Sequence, residues 1–309
     1  MTSPERAVLV AHARRAIEKG SKSFRFASRL FDRRTRERSW LLYCWCRACD
    51  DLADGQTHGH RAQAVADPER RLRYIEAQTR LALAGRRSMD PPFDALRLVA
   101  DECALPPRFV ADHLAGFARD AEGWRPDTEE DLLSYCYQVA GVVGCMMALV
   151  MGVCPDDEET LDRACDLGIA FQLANIARDL GEDHSVGRCY LPAAWLDEVR
   201  LSRCDYMDAD KRDRLLVLAQ RLCRYVQAYQ ASARVGAAQL SFRSRWAVLS
   251  AARIYGAIGT KVAERGSTAW DSRTIVPRSE KLRHVAAAAA EALARPQPID
   301  RSGLWRRPR

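Results

Sequence analysis

Apolar residues recur every three to four positions along almost the whole chain, and no stretch alternates cleanly with period two. This spacing predicts helices over about 4–19, 33–54, 68–84 and 92–103, and another from Pro106-Pro107 to about Arg119. Longer helices are predicted near 128–153, 157–183, 208–240, 244–265 and 278–295. Ser3-Pro4-Glu5 supplies a cap and first turn for the first helix, and Gly20 its stop. With no internal repeat and no obvious linker, the expected fold is a single all-α domain over 1–295. A basic, flexible tail is expected over 296–309.

The stretch from Leu132 to Pro155 carries no charge and is long enough to span a bilayer. It also holds Ser134, Tyr135, Tyr137, Gln138, Gly141 and Gly144, and nothing else in the chain resembles it. A helix that is apolar all round also suits the centre of a large bundle, and that is the expectation here.

Composition narrows the classes. Of 309 residues, 48% are hydrophobic and 29% charged, a globular balance. Only 17 Gly and 13 Pro argue against a many-stranded architecture with its tight turns. The net charge of +7 comes from 43 Arg and 5 Lys against 41 acids interspersed throughout, which is no nucleic-acid signature. Eleven cysteines and an N-terminus without an apolar signal core suggest free thiols in a reducing compartment. Cys46-x-x-Cys49 resembles half a zinc knuckle, but no second pair completes four ligands, so these thiols read as small core residues.

Two acidic clusters carry the chemistry. In Arg47-Ala-Cys-Asp50-Asp51-Leu-Ala-Asp54, the Asp50 and Asp54 carboxylates project from one helical face, with Arg47 a turn earlier. In Gln172-Leu-Ala-Asn175-Ile-Ala-Arg178-Asp179-Leu-Gly-Glu182-Asp183, four polar residues fall in one stripe. Gln172, Asn175, Asp179 and Asp183 span roughly 80° of helix surface, between apolar Leu173, Ala174, Ile176, Ala177 and Leu180. Burying that stripe without partners would cost several kcal/mol, so it is expected to face water, metal or substrate. Hard oxygen donors without histidine suit Mg²⁺, which keeps waters and bridges to substrate phosphates. Ser21, Lys22, Ser23, Arg47, Arg178, Arg188, Arg273 and Lys281 are suited to phosphate. Carboxylates, Mg²⁺ and cations together suit the ionisation of a diphosphate attached to a hydrocarbon.

These residues resemble the squalene/phytoene synthase family over nearly the whole chain, nearest its bacterial carotenoid-forming branch. The resemblance rests on Ser21-Lys22-Ser23-Phe24, both aspartate clusters, Tyr135 through Gly144, Gly187-Arg188-Cys-Tyr190-Leu191-Pro192, Tyr255, and Arg273 through Lys281. It implies an isoprenoid-synthase-type helical bundle with a central apolar cavity. It assigns Asp50, Asp54, Asn175, Asp179 and Asp183 to metal. Ser21, Lys22, Ser23, Arg47, Gln172, Tyr255, Arg273 and Lys281 fall at diphosphate-binding positions. Tyr135, Gln172 and Arg178 lie near the reacting carbons. With the four aspartates, Tyr135 and Arg178 make up the expected catalytic set. One departure is visible: Gly20 stands where some members carry a histidine, which casts doubt on that diphosphate contact.

The implied reaction is a Mg²⁺-dependent prenyl transfer, with Mn²⁺ as substitute and no NADPH. Two geranylgeranyl diphosphates join head to head through prephytoene diphosphate to phytoene. Tyr135 and released diphosphate are both candidates for the final proton acceptor. The rival within the family is a squalene or dehydrosqualene synthase using farnesyl diphosphate; outside it, a non-catalytic helical scaffold, disfavoured by two intact aspartate pairs. The expected location is cytoplasmic, peripheral on the inner face of the membrane, with downstream carotenoid enzymes as partners and no nucleic acid. The tail Leu304-Trp305-Arg306-Arg307-Pro308-Arg309 could reach an anionic membrane surface, but reads first as disordered. His58 and His60, after Asp54 in a Gly-rich stretch, read as a solvated loop that also suits a lid.

Overall fold

In the computed structural model, residues 4–54 and 67–309 are described, without the side chains of Lys22, Ser23 and Asp54. The 55–60 stretch with His58 and His60 lies outside the described residues. Among the described residues every regular element is helical: α1 Pro4–Gly20, α2 Lys22–Ala27, α3 Arg33–Asp54, α4 Pro68–Leu83, α5 Pro91–Cys103, α6 Pro107–Ala121 and α7 Glu129–Cys136. They continue with α8 Val142–Val150, α9 Glu158–Ser185, α10 Ala193–Glu198, α11 Arg212–Gly236, α12 Phe242–Arg265 and α13 Arg278–Leu293. Local chemistry sets the starts. Ser21 caps α2, Asp67 caps α4 ahead of Pro68, and Thr128 forms a capping box with Asp131 at the start of α7.

The chain packs as two compact units, Met1–Glu122 with Met146–Glu158, and Gly123–Cys145 with Glu159–Arg309. In the first, α3 packs against α1, α4 and α5, burying Leu41, Leu42, Trp45 and Cys49. Trp45 Nε1 donates to Thr79 Oγ1 of α4 at 3.3 Å. A charged knot ties three helices: Glu102 of α5 accepts from Arg6 of α1 at 2.6 Å and from Arg38 of α3 at 2.8 Å. Burial pushes the Glu102 carboxyl up, but Arg6 and Arg38 outweigh it and hold it below the ordinary glutamate range.

In the second unit α12 packs against α11 and α13. The expected 128–153 helix is not uniform: α7 passes into a π-helical turn, Tyr137–Gly141, before α8 begins. The span Glu129–Val150 is long and apolar enough to cross a membrane, yet most of it is buried inside the protein. A close backbone approach explains two glycines. A Cβ on Gly144 would lie 2.3 Å from the Ala164 carbonyl oxygen, and one on Gly168 2.1 Å from that of Ala140. The segment after Tyr135 and α9 therefore touch backbone to backbone.

The residues after Pro296, expected as a loose tail, carry specific contacts with the second unit. Arg301 donates from Nε and Nη2 to Asp166, both at 2.8 Å, and Asp166 is fully buried on α9. Arg307 is itself buried and pairs with Asp162 at 2.7 Å. Trp305 packs on Tyr137 at a ring separation of 5.5 Å, and its backbone N–H donates to the Tyr229 hydroxyl. All eleven cysteines are free thiols, and most are buried as core residues; Cys154 and Cys204 are exposed.

Candidate active site

The first aspartate cluster ends α3. Arg47 Nη1 stands 3.3 Å from the Asp50 carboxylate, Arg47 Nε donates to the Tyr43 hydroxyl at 3.4 Å, and the guanidinium lies over the Tyr43 ring at 5.8 Å. The spacing 43, 47, 50, 54 keeps all four residues on one helical face. Burial pulls the Arg47 pKa down, but Asp50, Tyr43 and Asp51 outweigh it, so the guanidinium is held firmly charged.

Tyr43 is a residue that sequence reasoning missed. A Cβ placed on Gly20 would lie 2.5 Å from the Tyr43 hydroxyl, so Tyr43 fills the space beside position 20. Its ring also packs at 5.5 Å from Phe24 on α2. The only sequence signal was its place one turn before Arg47, together with the glycine at position 20. Ser21 is half-buried, and its Oγ accepts from the Phe24 N–H at 3.2 Å, so part of its role is local capping. The Lys22, Ser23 and Asp54 side chains lie outside the described residues.

The second cluster lies in the middle and last turns of α9. Leu173, Ala174, Ile176, Ala177 and Leu180 are buried, whereas Gln172, Asn175, Asp179 and Asp183 are all part-exposed, matching the polar stripe read from the sequence. Asp179 is held by two guanidiniums. Arg178 Nε donates to it at 2.7 Å with a second bond from Nη2, and Arg273, from the segment before α13, pairs with it at 3.2 Å. Arg273 also pairs with Glu182. Burial lowers the Arg178 pKa, but the Asp179 carboxylate raises it further, keeping that charge fixed. After Ser185, Gly187 takes φ +75° and the Arg188 N–H donates to the Asp183 carbonyl at 2.8 Å, closing α9 with a left-handed glycine.

The remaining second-unit candidates surround this stripe or stand on neighbouring elements. Tyr255 of α12 stacks on Phe171 at 4.1 Å with ring planes 19° apart, next in the chain to Gln172. Trp270 Nε1 donates to the Ala177 carbonyl at 2.9 Å, pinning the segment that leads to Arg273. Lys281 is part-exposed in the first turn of α13. Tyr135 is buried, its ring stacked with those of Trp124 and Tyr190.

Among the described residues no group of three or more His, Cys, Asp or Glu side chains converges as a ready metal cage. The donors are carboxylate and amide oxygens on part-exposed helix faces: Asp50 on α3, and Asn175, Asp179 and Asp183 on α9. Each face by itself offers hard oxygen donors of the kind Mg²⁺ or Mn²⁺ takes, and neither offers the Cys/His set of a closed structural zinc site.

Known proteins share this chain's sequence pattern and fold. The squalene/phytoene synthase sequence pattern matches residues 17–281. The chain is 46% identical over 305 residues to the 15-cis-phytoene synthase of Pantoea ananas, covering 97% of this chain and 98% of that one. It is 42% identical over 303 residues to the enzyme of the same name from a Paracoccus species, with the same coverage. Among solved structures, a dehydrosqualene synthase in complex with ligand superposes with a TM-score of 0.81 at 28% identity, over 93% of this chain and 97% of that one. The squalene synthase HpnC of Alicyclobacillus acidocaldarius, 24% identical, shares the fold with a TM-score of 0.76 over 86% of this chain and 97% of its own.

Proposed function

The chain belongs to the squalene/phytoene synthase family and acts as a phytoene synthase, and we propose that it joins two geranylgeranyl diphosphates head to head through prephytoene diphosphate. The observation that carries this reading is identity of 42–46% along nearly the whole chain to bacterial phytoene synthases, with both aspartate clusters intact.

Family membership implies a divalent-metal dependence, and the oxygen donor set favours Mg²⁺. In this reading Asp50 and Asp54, and Asn175, Asp179 and Asp183, hold it with the diphosphates. When bound it offsets the diphosphate charge and so favours departure of the leaving group. Arg47, Arg178 and Arg273, now paired with Asp50 and Asp179, are preformed cations that exchange part of that pairing for phosphate oxygens. Ser21, Lys22, Ser23, Gln172, Tyr255 and Lys281 complete the diphosphate contacts.

The bonds balance as follows. The C–O bond of the first substrate breaks, and diphosphate leaves with the electron pair. The double bond of the second substrate attacks the allylic cation. Loss of one proton closes a cyclopropane, giving prephytoene diphosphate. A second C–O cleavage, ring rearrangement and loss of another proton give phytoene, with no change in redox state and no need for NADPH. Allylic and cyclopropylcarbinyl cations survive only where water is excluded. Tyr135, buried and aromatic-packed, lies in this reading beside the reacting carbons.

Metal removal tests the proposed site. Chelation with EDTA is expected to abolish product formation from geranylgeranyl diphosphate, and added Mg²⁺ to restore it. Activity that survives exhaustive chelation would contradict the assignment of the aspartates.

A further inference from the structure

We infer that Trp124 and Tyr190 are positioning residues that hold the Tyr135 ring, and with it the phenol hydroxyl, in one orientation; this rests on the reading that places Tyr135 beside the reacting carbons. Tyr135 stacks with Tyr190 at a ring separation of 5.0 Å and an interplanar angle of 15°, and with Trp124 at 5.5 Å and 26°. Such near-parallel packing blocks movement of the phenol ring along its own normal, the swing about the first side-chain torsion that would displace the hydroxyl. Tyr135 and Tyr190 are both buried, and Trp124 partly so.

The backbone at this point needs that support. Tyr135 is in the last turn of α7, two residues before the π-helical turn Tyr137–Gly141, where the regular hydrogen-bond register is broken. The ring neighbours come from two loops joined to one another. Arg125 donates to the Gly187 carbonyl at 3.1 Å, Ala193 N–H to the Pro126 carbonyl at 3.1 Å, and Ala194 N–H to the Asp127 carbonyl at 3.0 Å. Arg203 adds bonds to the Pro126 carbonyl at 2.7 Å and to Asp127 at 2.8 Å.

The second of these loops leaves α9 after Ser185, two residues beyond Asp183. Tyr206 pins its start by donating to the carbonyls of Leu180 at 3.1 Å and Arg188 at 3.3 Å. The ladder Trp124–Tyr135–Tyr190 therefore runs from the start of the α7 segment to the chain leaving the second aspartate cluster. Its consequence is chemical rather than only structural. A phenol held in one orientation meets the same carbon of each cation in every turnover. A phenol free to swing away would let water quench the cations as alcohols, or leave the cyclopropyl diphosphate unprocessed.

The test is the partition of product in Trp124→Ala and Tyr190→Ala, with Trp124→Phe and Tyr190→Phe as conservative partners. The alanine variants are expected to lose about tenfold in kcat with KM within about twofold, and to raise the share of cyclopropyl diphosphate and prenyl alcohols. The phenylalanine variants should keep the wild-type partition. In a Tyr135→Phe background the Trp124→Ala change should shift the partition no further, because the hydroxyl it positions is gone. Should an alanine variant fail to fold, judged by circular dichroism, the leucine variant keeps more of the apolar volume without the ring and carries the same expectation. An unchanged partition in Trp124→Ala and Tyr190→Ala would overturn the inference, as would equal shifts with and without the Tyr135 hydroxyl. Wild-type protein that makes no phytoene would instead overturn the underlying reading.

Discussion

Asp179 carries two guanidiniums on its oxygens, those of Arg178 and Arg273. Asp179→Ala is expected to reduce phytoene formation by at least about a hundredfold, because the proposed site loses a ligand for the divalent cation that would offset the diphosphate charge as it departs. Full activity in that variant would remove α9 from the site. A second prediction concerns Gly20. Helix propensity alone would make Gly20→Ala stabilising by about 0.5–1 kcal/mol. The Tyr43 hydroxyl 2.5 Å from the new methyl reverses the sign, and the variant should be less stable by about 1–3 kcal/mol in denaturant unfolding. Tyr43→Phe in the same background should recover most of the loss. The α9 stripe was legible in the sequence because polar side chains interrupt residues that must be buried. The Gly20–Tyr43 contact was not, since it joins residues 23 apart that only packing brings together.

At the level of elements, the Arg6–Glu102–Arg38 knot fastens α1 and α3 to α5. Glu102 titrates below the ordinary glutamate range, so the folded state binds its proton less readily than the unfolded chain. Its stabilisation is therefore present at neutral pH and is lost as pH falls through the ordinary glutamate range toward the depressed value. Glu102→Gln should cost roughly 1–3 kcal/mol at neutral pH and flatten the acid limb of a stability–pH curve. A variant whose acid limb is as steep as wild type would show that other carboxylates control it. Most long helices were readable from periodicity, and α3 and α9 match their expected spans closely. The π-helical turn at Tyr137–Gly141 was not readable, because an apolar run looks alike in α and π geometry. The short α2 and α10 were missed because six residues hold too few turns to show a period.

Across the whole molecule, the charge excess of +7 is less informative than where individual arginines go. Arg301 and Arg307, which composition alone makes part of a basic tail, serve as partners for Asp166 and Asp162 on the helix that carries the second aspartate cluster. Burial pushes the Asp166 carboxyl above its usual range even with Arg301 and Ser232 in hydrogen-bond contact, so the pair depends on Arg301 staying in place. Removing residues 296–309 strands that carboxylate, at a cost of about 3–5 kcal/mol. The truncated chain should melt roughly 5 °C or more below the full chain. An unchanged melting temperature would show that the segment adds nothing to the second unit. The central claim is catalytic, and one assay reaches it directly: purified protein with Mg²⁺, no NADPH, and geranylgeranyl or farnesyl diphosphate supplied separately. Phytoene from the longer substrate, with two diphosphates released per hydrocarbon, is the predicted result. A hydrocarbon formed only from farnesyl diphosphate, or none from either substrate, would contradict it.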